Sequence, residues 1–198
     1  VIEGIRKVSN VPISIDTTKA GVAEAALKAG AEVINDVSAM THDQRMIGVA
    51  RAARAGVVLM HMRGRPETMQ DGDLSSDDIC GQVTNYLERR VDELVKGGIE
   101  RNRICVDPGV GFGKTVEQNL ELMANMEPLL RGGRPVLIGA SRKSYLGGLT
   151  GRPVEERLAG SVASTALSGF LGAHLVRVHD VAETVDALKV AAAFVRAR

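Results

Sequence analysis

The sequence contains no tryptophan, two tyrosines and three phenylalanines, and its formal net charge is only +1. A chain so poor in aromatic rings does not offer the stacking platform that single-stranded nucleic acid needs. The balanced charge gives no electrostatic reason to expect nucleic acid or an acidic membrane surface as a partner. No apolar run approaches the ~18 residues that a membrane-spanning helix requires. What is left is an ordinary soluble globular chain with one substantial core.

Cysteine is also scarce. The sequence contains only Cys80, in a predicted helix, and Cys105, in a predicted strand. Two such residues make neither a disulfide framework nor a metal cluster, so we expect a reducing cytoplasm. The chain does not begin with methionine, and Ile2, Ile5 and Val8 repeat at the spacing of a helix end. We therefore expect the sequence to start inside an element, as a fragment would.

Alternating strands and helices dominate what is present. Six short, nearly uniform apolar segments predict strands covered on both faces: 11–15, 33–34, 57–60, 104–106, 136–138 and 175–178. Helical spacing predicts helices between them, including 44–55, 117–130 and 155–171, and a last helix with an apolar face at Val181, Val185, Leu188, Ala192 and Val195. Thr17 or Thr18 and Ser75 or Ser76 are predicted helix caps. The pattern is typical of an α/β fold.

Polar residues follow each predicted strand: Asp16, Asn35, His61, Asp107, Ser141–Lys143, Arg177 and His179. Because the carboxyl ends of parallel strands lie on one rim, we expect these residues to converge. Neither histidine has a partner at a metal-ligand spacing such as i+4, which disfavours a histidine metal site. A (β/α)8 barrel needs eight units and about 250 residues. Six units are visible, so we predict one barrel domain over 1–198 that lacks two units at its amino end.

The segment 104–115 is the most informative one. An apolar strand ends at Asp107, and three glycines then surround Phe112. Glycine lets the backbone approach a ligand closely, although an ordinary turn with a solvated carboxylate is the alternative. The segment ends in Gly-Lys-Thr like a phosphate-binding P-loop. However, the first glycine of that motif would fall at Pro108, which disfavours a nucleotide site.

Two cations follow an apolar strand, and a third lies within one. Arg142 and Lys143 are either a solvated loop pair or, at a ligand rim, groups that bind an anion or a carbonyl. Arg177 interrupts a predicted strand and needs an anionic partner. That partner is either a ligand or a structural carboxylate such as Asp36 or Asp180.

Six segments resemble the dihydropteroate synthases: Ser14–Lys19, Ile34–Asp36, Leu59–Gly64, Asp107–Lys114, Gly139–Ser144 and Arg177–Val181. They cover nearly the whole chain in the right order. The resemblance implies a (β/α)8 barrel of the pterin-binding class and a transferase of folate biosynthesis, a sulfonamide target. Its reaction condenses 6-hydroxymethyl-7,8-dihydropterin pyrophosphate with p-aminobenzoate to give 7,8-dihydropteroate and pyrophosphate.

The resemblance also implies roles for single residues. Pterin would be bound by Asp16, Asn35, Asp107 and Lys143, p-aminobenzoate by Phe112, Ser141 and Arg142, and pyrophosphate by Arg177 and His179. Lys143, Arg177 and His179 would form the catalytic set. The family is thought to ionise the pterin substrate first, so that the amine attacks a methylene cation and no nucleophilic side chain is needed.

Further expectations come from the same resemblance. Mg²⁺ would accompany the pyrophosphate, and its asparagine ligand would lie upstream of Val1, so we expect no metal ligand and no turnover in this chain. Relatives are homodimers through their late helices. One alternative is a methyltetrahydrofolate methyltransferase, which would share the acids and the asparagine but has no reason to carry Ser141–Lys143 or the Arg177–His179 pair. The other is a non-catalytic barrel remnant.

Overall fold

The structure, a computed structural model, describes residues 1–64, 68–69 and 71–197. The chain divides into two compact units. The first contains Val1–His61 and Asn85–Val106, and the second contains Met62–Thr84 and Asp107–Arg198. Within the described ranges, no helix combines the length and the apolar character needed to cross a membrane.

The first unit is built around a sheet with the strand order β1-β2-β3-β4. The strands are β1 (Ser14–Asp16), β2 (Val33–Asp36), β3 (Gly56–Met60) and β4 (Ile104–Asp107). β1 pairs with β2 and β2 with β3 in parallel. Side chains of the sheet such as Ile34, Leu59 and Val106 are fully buried, as expected for strands that are apolar throughout.

Helices α1 (Ile2–Arg6), α2 (Ala20–Lys28), α3 (Met46–Ala52) and most of α4 (Ile79–Lys96) belong to this unit. A one-turn 3₁₀ helix, Arg101–Arg103, precedes β4. The predicted threonine cap of α2 is wrong, because Ala20 N–H donates to the distant Asp43 carboxylate over 3.0 Å. At the start of α4, Gly81 N–H donates to Asp78 Oδ1 over 2.7 Å, where a serine cap was predicted. Because Asp43 lies in a different loop, its hydrogen bond to the start of α2 leaves no local signal in the sequence.

The second unit contains β5 (Leu137–Ile138) paired in parallel with β6 (Leu175–Val176). Its helices are α5 (Val116–Ala124), α6 (Glu127–Arg131), α7 (Ser144–Thr150), α8 (Leu158–Phe170) and α9 (Val181–Arg196), with a 3₁₀ turn at Val154–Glu156. The single helix predicted over 117–130 is two helices. Asn125 leaves the helical conformation (φ −116°, ψ 55°), and Pro128 lies in the first turn of α6, where proline is tolerated.

Two further differences concern the end of the chain. β6 ends at Val176, so Arg177 is exposed beyond the strand instead of interrupting it. The predicted apolar face of α9 is largely open, with Val181 61% and Val195 46% exposed. The alternation of strands and helices is confirmed, with six strands among the described residues.

Candidate active site

Two of the predicted pterin-binding residues meet in the first unit. Asp16 ends β1, and Asn35 lies opposite it in β2. The amide Nδ2 of Asn35 donates a hydrogen bond to Asp16 Oδ2 over 3.0 Å. Thr17 N–H also donates to the carbonyl of Asn35 over 3.0 Å. Asp16 is exposed and Asn35 half-buried, so a flat polar ligand can reach the pair.

Two other polar residues at the ends of strands are packed inside the same unit. Asp36 is fully buried, and its Oδ1 accepts hydrogen bonds from Ser38 N–H (2.8 Å) and Ser38 Oγ–H (2.6 Å). Burial raises the pKa of the Asp36 carboxyl. The His61 ring makes an edge contact with Tyr86, with centroids 5.1 Å apart. Both residues contribute to the core at this position.

Asp107 ends β4 and is almost completely buried, with 6% of its surface exposed. Its Oδ1 accepts the backbone N–H of Gly109 over 2.7 Å. Burial raises the pKa of the Asp107 carboxyl, while Lys143, the Gly109 hydrogen bond and Arg177 act against that rise. A buried carboxylate near cations is suited to accept N–H donors from a ligand.

Lys143 lies at the end of the turn that follows β5. Its amine donates to the carbonyl of Val110 and lies 4.3 Å from the centroid of the Phe112 ring. Burial lowers the pKa of Lys143 to about 8; Asp107 opposes this shift and Arg177 adds to it. Gly111 packs against the same side chain, because a Cβ there would lie 2.8 Å from Lys143 Cδ.

A cavity of ≈ 270 Å³ opens at the loops that follow β5 and β6. Its walls are formed by Gly139, Ser141, Lys143, Arg177, Val178 and His179. A methyl group at Gly139 would lie 3.7 Å from Arg177 Nε and 4.0 Å from Lys143 Nζ, so the two cations converge. Ser141 Oγ and His179 Nδ1 are 3.0 Å apart and join the two loops. This combination of groups can bind an anion.

Arg142 is held away from the cavity by an ion pair. Its Nε donates to Asp180 Oδ2 over 3.0 Å, and its Nη2 donates to Asp180 Oδ1. The pair lowers the pKa of the Asp180 carboxyl, chiefly through these hydrogen bonds. Arg142 also has a left-handed backbone (φ 57°), fixed by a 2.8 Å hydrogen bond from its N–H to Ser161 Oγ and by Arg157, which donates to its carbonyl.

The structure therefore divides the predicted residues between the units. Asp16 and Asn35 lie in the first, and the second contains Asp107, Phe112, Ser141, Arg142, Lys143, Arg177 and His179. Sequence reasoning missed three residues that hold these loops, namely Asn119, Arg157 and Ser161. It considered Asp180 as a partner of Arg177, whereas the structure pairs Asp180 with Arg142. It also gave no role to Lys114, although the P-loop comparison drew attention to it.

Comparison with known proteins identifies the family. The family model of pterin binding enzymes matches residues 1–179. A dihydropteroate synthase from Synechocystis is 40% identical over 197 residues, which is 99% of this chain and 68% of that protein. The enzyme from Neisseria meningitidis serogroup B is 45% identical over 185 residues, 91% of this chain and 65% of that protein. The chain belongs to the dihydropteroate synthase family.

Solved structures of dihydropteroate synthases agree with this assignment. The Yersinia pestis enzyme in a sulfonamide drug complex has a TM-score of 0.96 at 35% identity. The match covers 100% of this chain and 71% of that enzyme's chain. The Xanthomonas albilineans enzyme with 7,8-dihydropteroate has a TM-score of 0.89 at 42% identity and covers 98% of this chain and 70% of its own. A second structure of that enzyme, with 4-aminobenzoic acid, has a TM-score of 0.90 at 42% identity, covering 98% and 68%.

Dihydropteroate synthases are transferases of folate biosynthesis with a (β/α)8 barrel, and both the predicted function class and the predicted fold class are thereby confirmed. Six strands of that fold lie within the described residues. The chain spans 65% to 71% of the length of the relatives named above.

Proposed function

We propose that this chain provides the substrate and leaving-group contacts of a dihydropteroate synthase reaction. The observation that carries the proposal is the ≈ 270 Å³ cavity, whose wall includes Lys143, Arg177 and His179. A leaving group that gains negative charge as its bond breaks is stabilised best by donors already in place. The ligands of the Xanthomonas enzyme, 7,8-dihydropteroate and 4-aminobenzoic acid, are the product and one substrate of this reaction.

In the proposed reaction, the C–O bond between the pterin methylene and pyrophosphate breaks first, and the electron pair leaves with pyrophosphate. Arg177 and His179 hold the departing anion. The aromatic amine of p-aminobenzoate then attacks the methylene carbon and loses a proton, which gives 7,8-dihydropteroate. No side chain forms a bond to the substrate, so the protein acts by positioning and by charge.

The pterin ring is assigned to four side chains. The Asp107 carboxylate accepts two N–H groups of the aminopyrimidinone edge, and Lys143 donates to the ring carbonyl and the adjacent nitrogen. The resemblance to the dihydropteroate synthases is the sole ground for adding Asp16 and Asn35 of the first unit to this set. The p-aminobenzoate contacts are assigned to Phe112, Ser141 and Arg142, and Arg142 would contact the ligand only after leaving its ion pair with Asp180.

Magnesium is part of the proposal as a companion of pyrophosphate, whose charge it would neutralise. The described residues contain no group of three His, Cys, Asp or Glu side chains placed to hold a metal ion. We therefore assign no residue of this chain as a magnesium ligand and route no step through the ion.

The test is calorimetric titration of p-aminobenzoate with and without inorganic pyrophosphate and 6-hydroxymethylpterin. We expect binding that depends on pyrophosphate and is lost in Arg177→Met but kept in Arg131→Met, whose side chain is 73% exposed and pairs with Glu127. Binding of methyltetrahydrofolate without any effect of pyrophosphate would favour the methyltransferase. Binding of neither ligand would favour the remnant.

Two finer assignments complete the proposal. Cys80 and Cys105 are thiols and not halves of a disulfide framework, which supports a reducing cytoplasm. A second exposed face of α9, which carries Val190 and Phe194 at 59% and 66% exposure, supports pairing with a second copy of the chain.

A further inference from the structure

Lys114 is a buried lysine to which the proposed reaction gives no role. Only 3% of its surface is exposed, whereas lysine normally keeps its ammonium group in water. Its Nζ donates to the carbonyl of Gly109 over 2.9 Å and to the carbonyl of Phe112 over 3.0 Å. Both acceptors belong to the loop 109–113, so the lysine side chain folds back onto the loop that precedes it.

This loop needs external support, because its backbone is unusual. Gly109, Gly111 and Gly113 all have a positive φ, at 71°, 81° and 64°. Side chains form hydrogen bonds with its polar backbone groups. The Lys114 amine donates to two carbonyls and the Lys143 amine donates to the carbonyl of Val110, while Asn119 Oδ1 accepts from Gly111 N–H over 2.6 Å. Buried carbonyls without such donors would destabilise the loop.

The loop carries contacts on which the proposed ligand site depends. Gly109 N–H donates a hydrogen bond to Asp107 Oδ1, and the Phe112 ring lies beside the Lys143 amine. A shift of the loop would move both the Gly109 N–H that binds the Asp107 carboxylate and the Phe112 ring. A misplacement of about 1 Å far from the reacting atoms is enough to lower activity strongly.

We propose that Lys114 is a positioning residue, whose buried ammonium fixes the loop 109–113 and thereby the Asp107 carboxylate and the Phe112 ring. The inference rests on the proposed function and adds a residue that touches no substrate. The charged groups that act on Lys114 are Asp107, Lys143 and Arg63. Burial, with Lys143 and Arg63, lowers its pKa to about 7, and Asp107 opposes this. The ammonium form predominates only below about pH 7, and the support is strongest there.

The test compares Lys114→Met, Lys114→Arg and the exposed-surface control Lys28→Met in the 198-residue chain. Hydrogen exchange of the Gly109 and Gly111 amides reads the loop without any ligand. Calorimetry reads the affinity for 7,8-dihydropteroate, and separately for inorganic pyrophosphate, which is assigned to a different loop. For Lys114→Met we expect faster exchange in 109–113, about tenfold weaker dihydropteroate binding, and pyrophosphate affinity within about twofold of wild type. Lys114→Arg should recover part of the loss.

The outcomes separate this inference from the proposed function. Unchanged exchange in Lys114→Met overturns the support of the loop, and faster exchange with unchanged dihydropteroate affinity overturns the positioning role. An equal loss of both affinities means a general folding defect and also overturns it. A wild-type chain that binds neither ligand, yet shows a protected loop, overturns the proposed function and with it the role of Lys114 toward a ligand.

Discussion

Lys143 and Asp107 have opposite requirements for a proton if both bind pterin. Asp107 must be ionised to accept two N–H groups, and burial raises its pKa. Lys143 must be protonated to donate, and burial lowers its pKa to about 8. The range of pH in which both are charged is therefore narrowed from both sides.

The affinity for 7,8-dihydropteroate should consequently pass through a maximum with pH. It should fall on the acid side as Asp107 gains a proton, and on the alkaline side above about pH 8 as Lys143 loses one. Lys143→Arg keeps its charge and should remove the fall above about pH 8, whereas a fall near pH 7 that comes from Lys114 should remain. Calorimetry from about pH 5 to about pH 9.5 measures the profile. A fall above about pH 8 that is unchanged in Lys143→Arg would contradict the assignment.

The same lysine affects stability with the opposite sign. In the unfolded chain Lys143 keeps its proton up to its ordinary pKa of 10.5, but in the fold only up to about 8. Between these values the unfolded state binds more protons, so this residue makes the free energy of unfolding rise with pH. Binding and stability at Lys143 therefore favour different ends of the range.

At the level of elements, two pairs of side chains join the loop after β5 to the loop after β6 in the second unit. Ser141 contacts His179, and Arg142 contacts Asp180, so the turn after β5 is tied to the loop after β6. After the left-handed Arg142, Lys143 is extended (φ −70°, ψ 161°) and helix α7 begins at Ser144. In the left-handed region a non-glycine residue needs such support.

Asp180→Asn should loosen this connection, because the amide cannot accept both Arg142 hydrogen bonds as a carboxylate does. We expect pyrophosphate affinity to fall by a few fold and the free energy of unfolding to fall slightly, since solvent screens the pair. Calorimetry and urea unfolding measure the two effects. Asp186→Asn on the same helix, a 79% exposed partner of Lys189, should change neither. Equal results for the two variants would refute the connection.

Helix α5 begins with a capping box that follows the glycine loop. Thr115 Oγ1 accepts from Gln118 N–H over 3.2 Å, and Gln118 Oε1 accepts from Thr115 N–H over 3.1 Å. Thr115→Ala should lower the free energy of unfolding by about 1 kcal/mol, whereas Thr115→Ser should keep most of it. Urea denaturation measures both. A loss of the same size in Thr115→Ser would show that the hydroxyl is not the cause.

The sequence predicted most strands and the polar residues near their carboxyl ends, because a buried strand needs only a local run of apolar residues. It did not predict the ends of helices that are capped from a distance, such as Asp43 on α2. It also missed α7, which begins directly after the left-handed turn at Arg142. Contacts such as Lys114 to the loop carbonyls depend on folded geometry and leave no periodic pattern.

For the molecule as a whole, the exposed face of α9 that carries Val190 and Phe194 is the feature that the proposal of a second copy explains. Val190 is 59% and Phe194 66% exposed, although both are large and apolar. We expect the wild-type chain to sediment as a dimer and Phe194→Glu as a monomer. Leu120→Glu, at an exposed position of α5 outside that face, should remain dimeric. A monomeric wild type, or a Phe194→Glu dimer, would rule out pairing through α9.

The central claim is that the Asp107 carboxylate recognises the pterin ring, and the most direct measurement is calorimetric titration of 7,8-dihydropteroate into wild type and Asp107→Asn. The substitution leaves the shape nearly unchanged and removes the charge. We predict a loss of affinity of at least about tenfold, as expected when a charged hydrogen-bond acceptor is replaced. Asp92→Asn, which alters an exposed pair with Arg101, should bind like wild type. Equal affinities of wild type and Asp107→Asn would contradict the account.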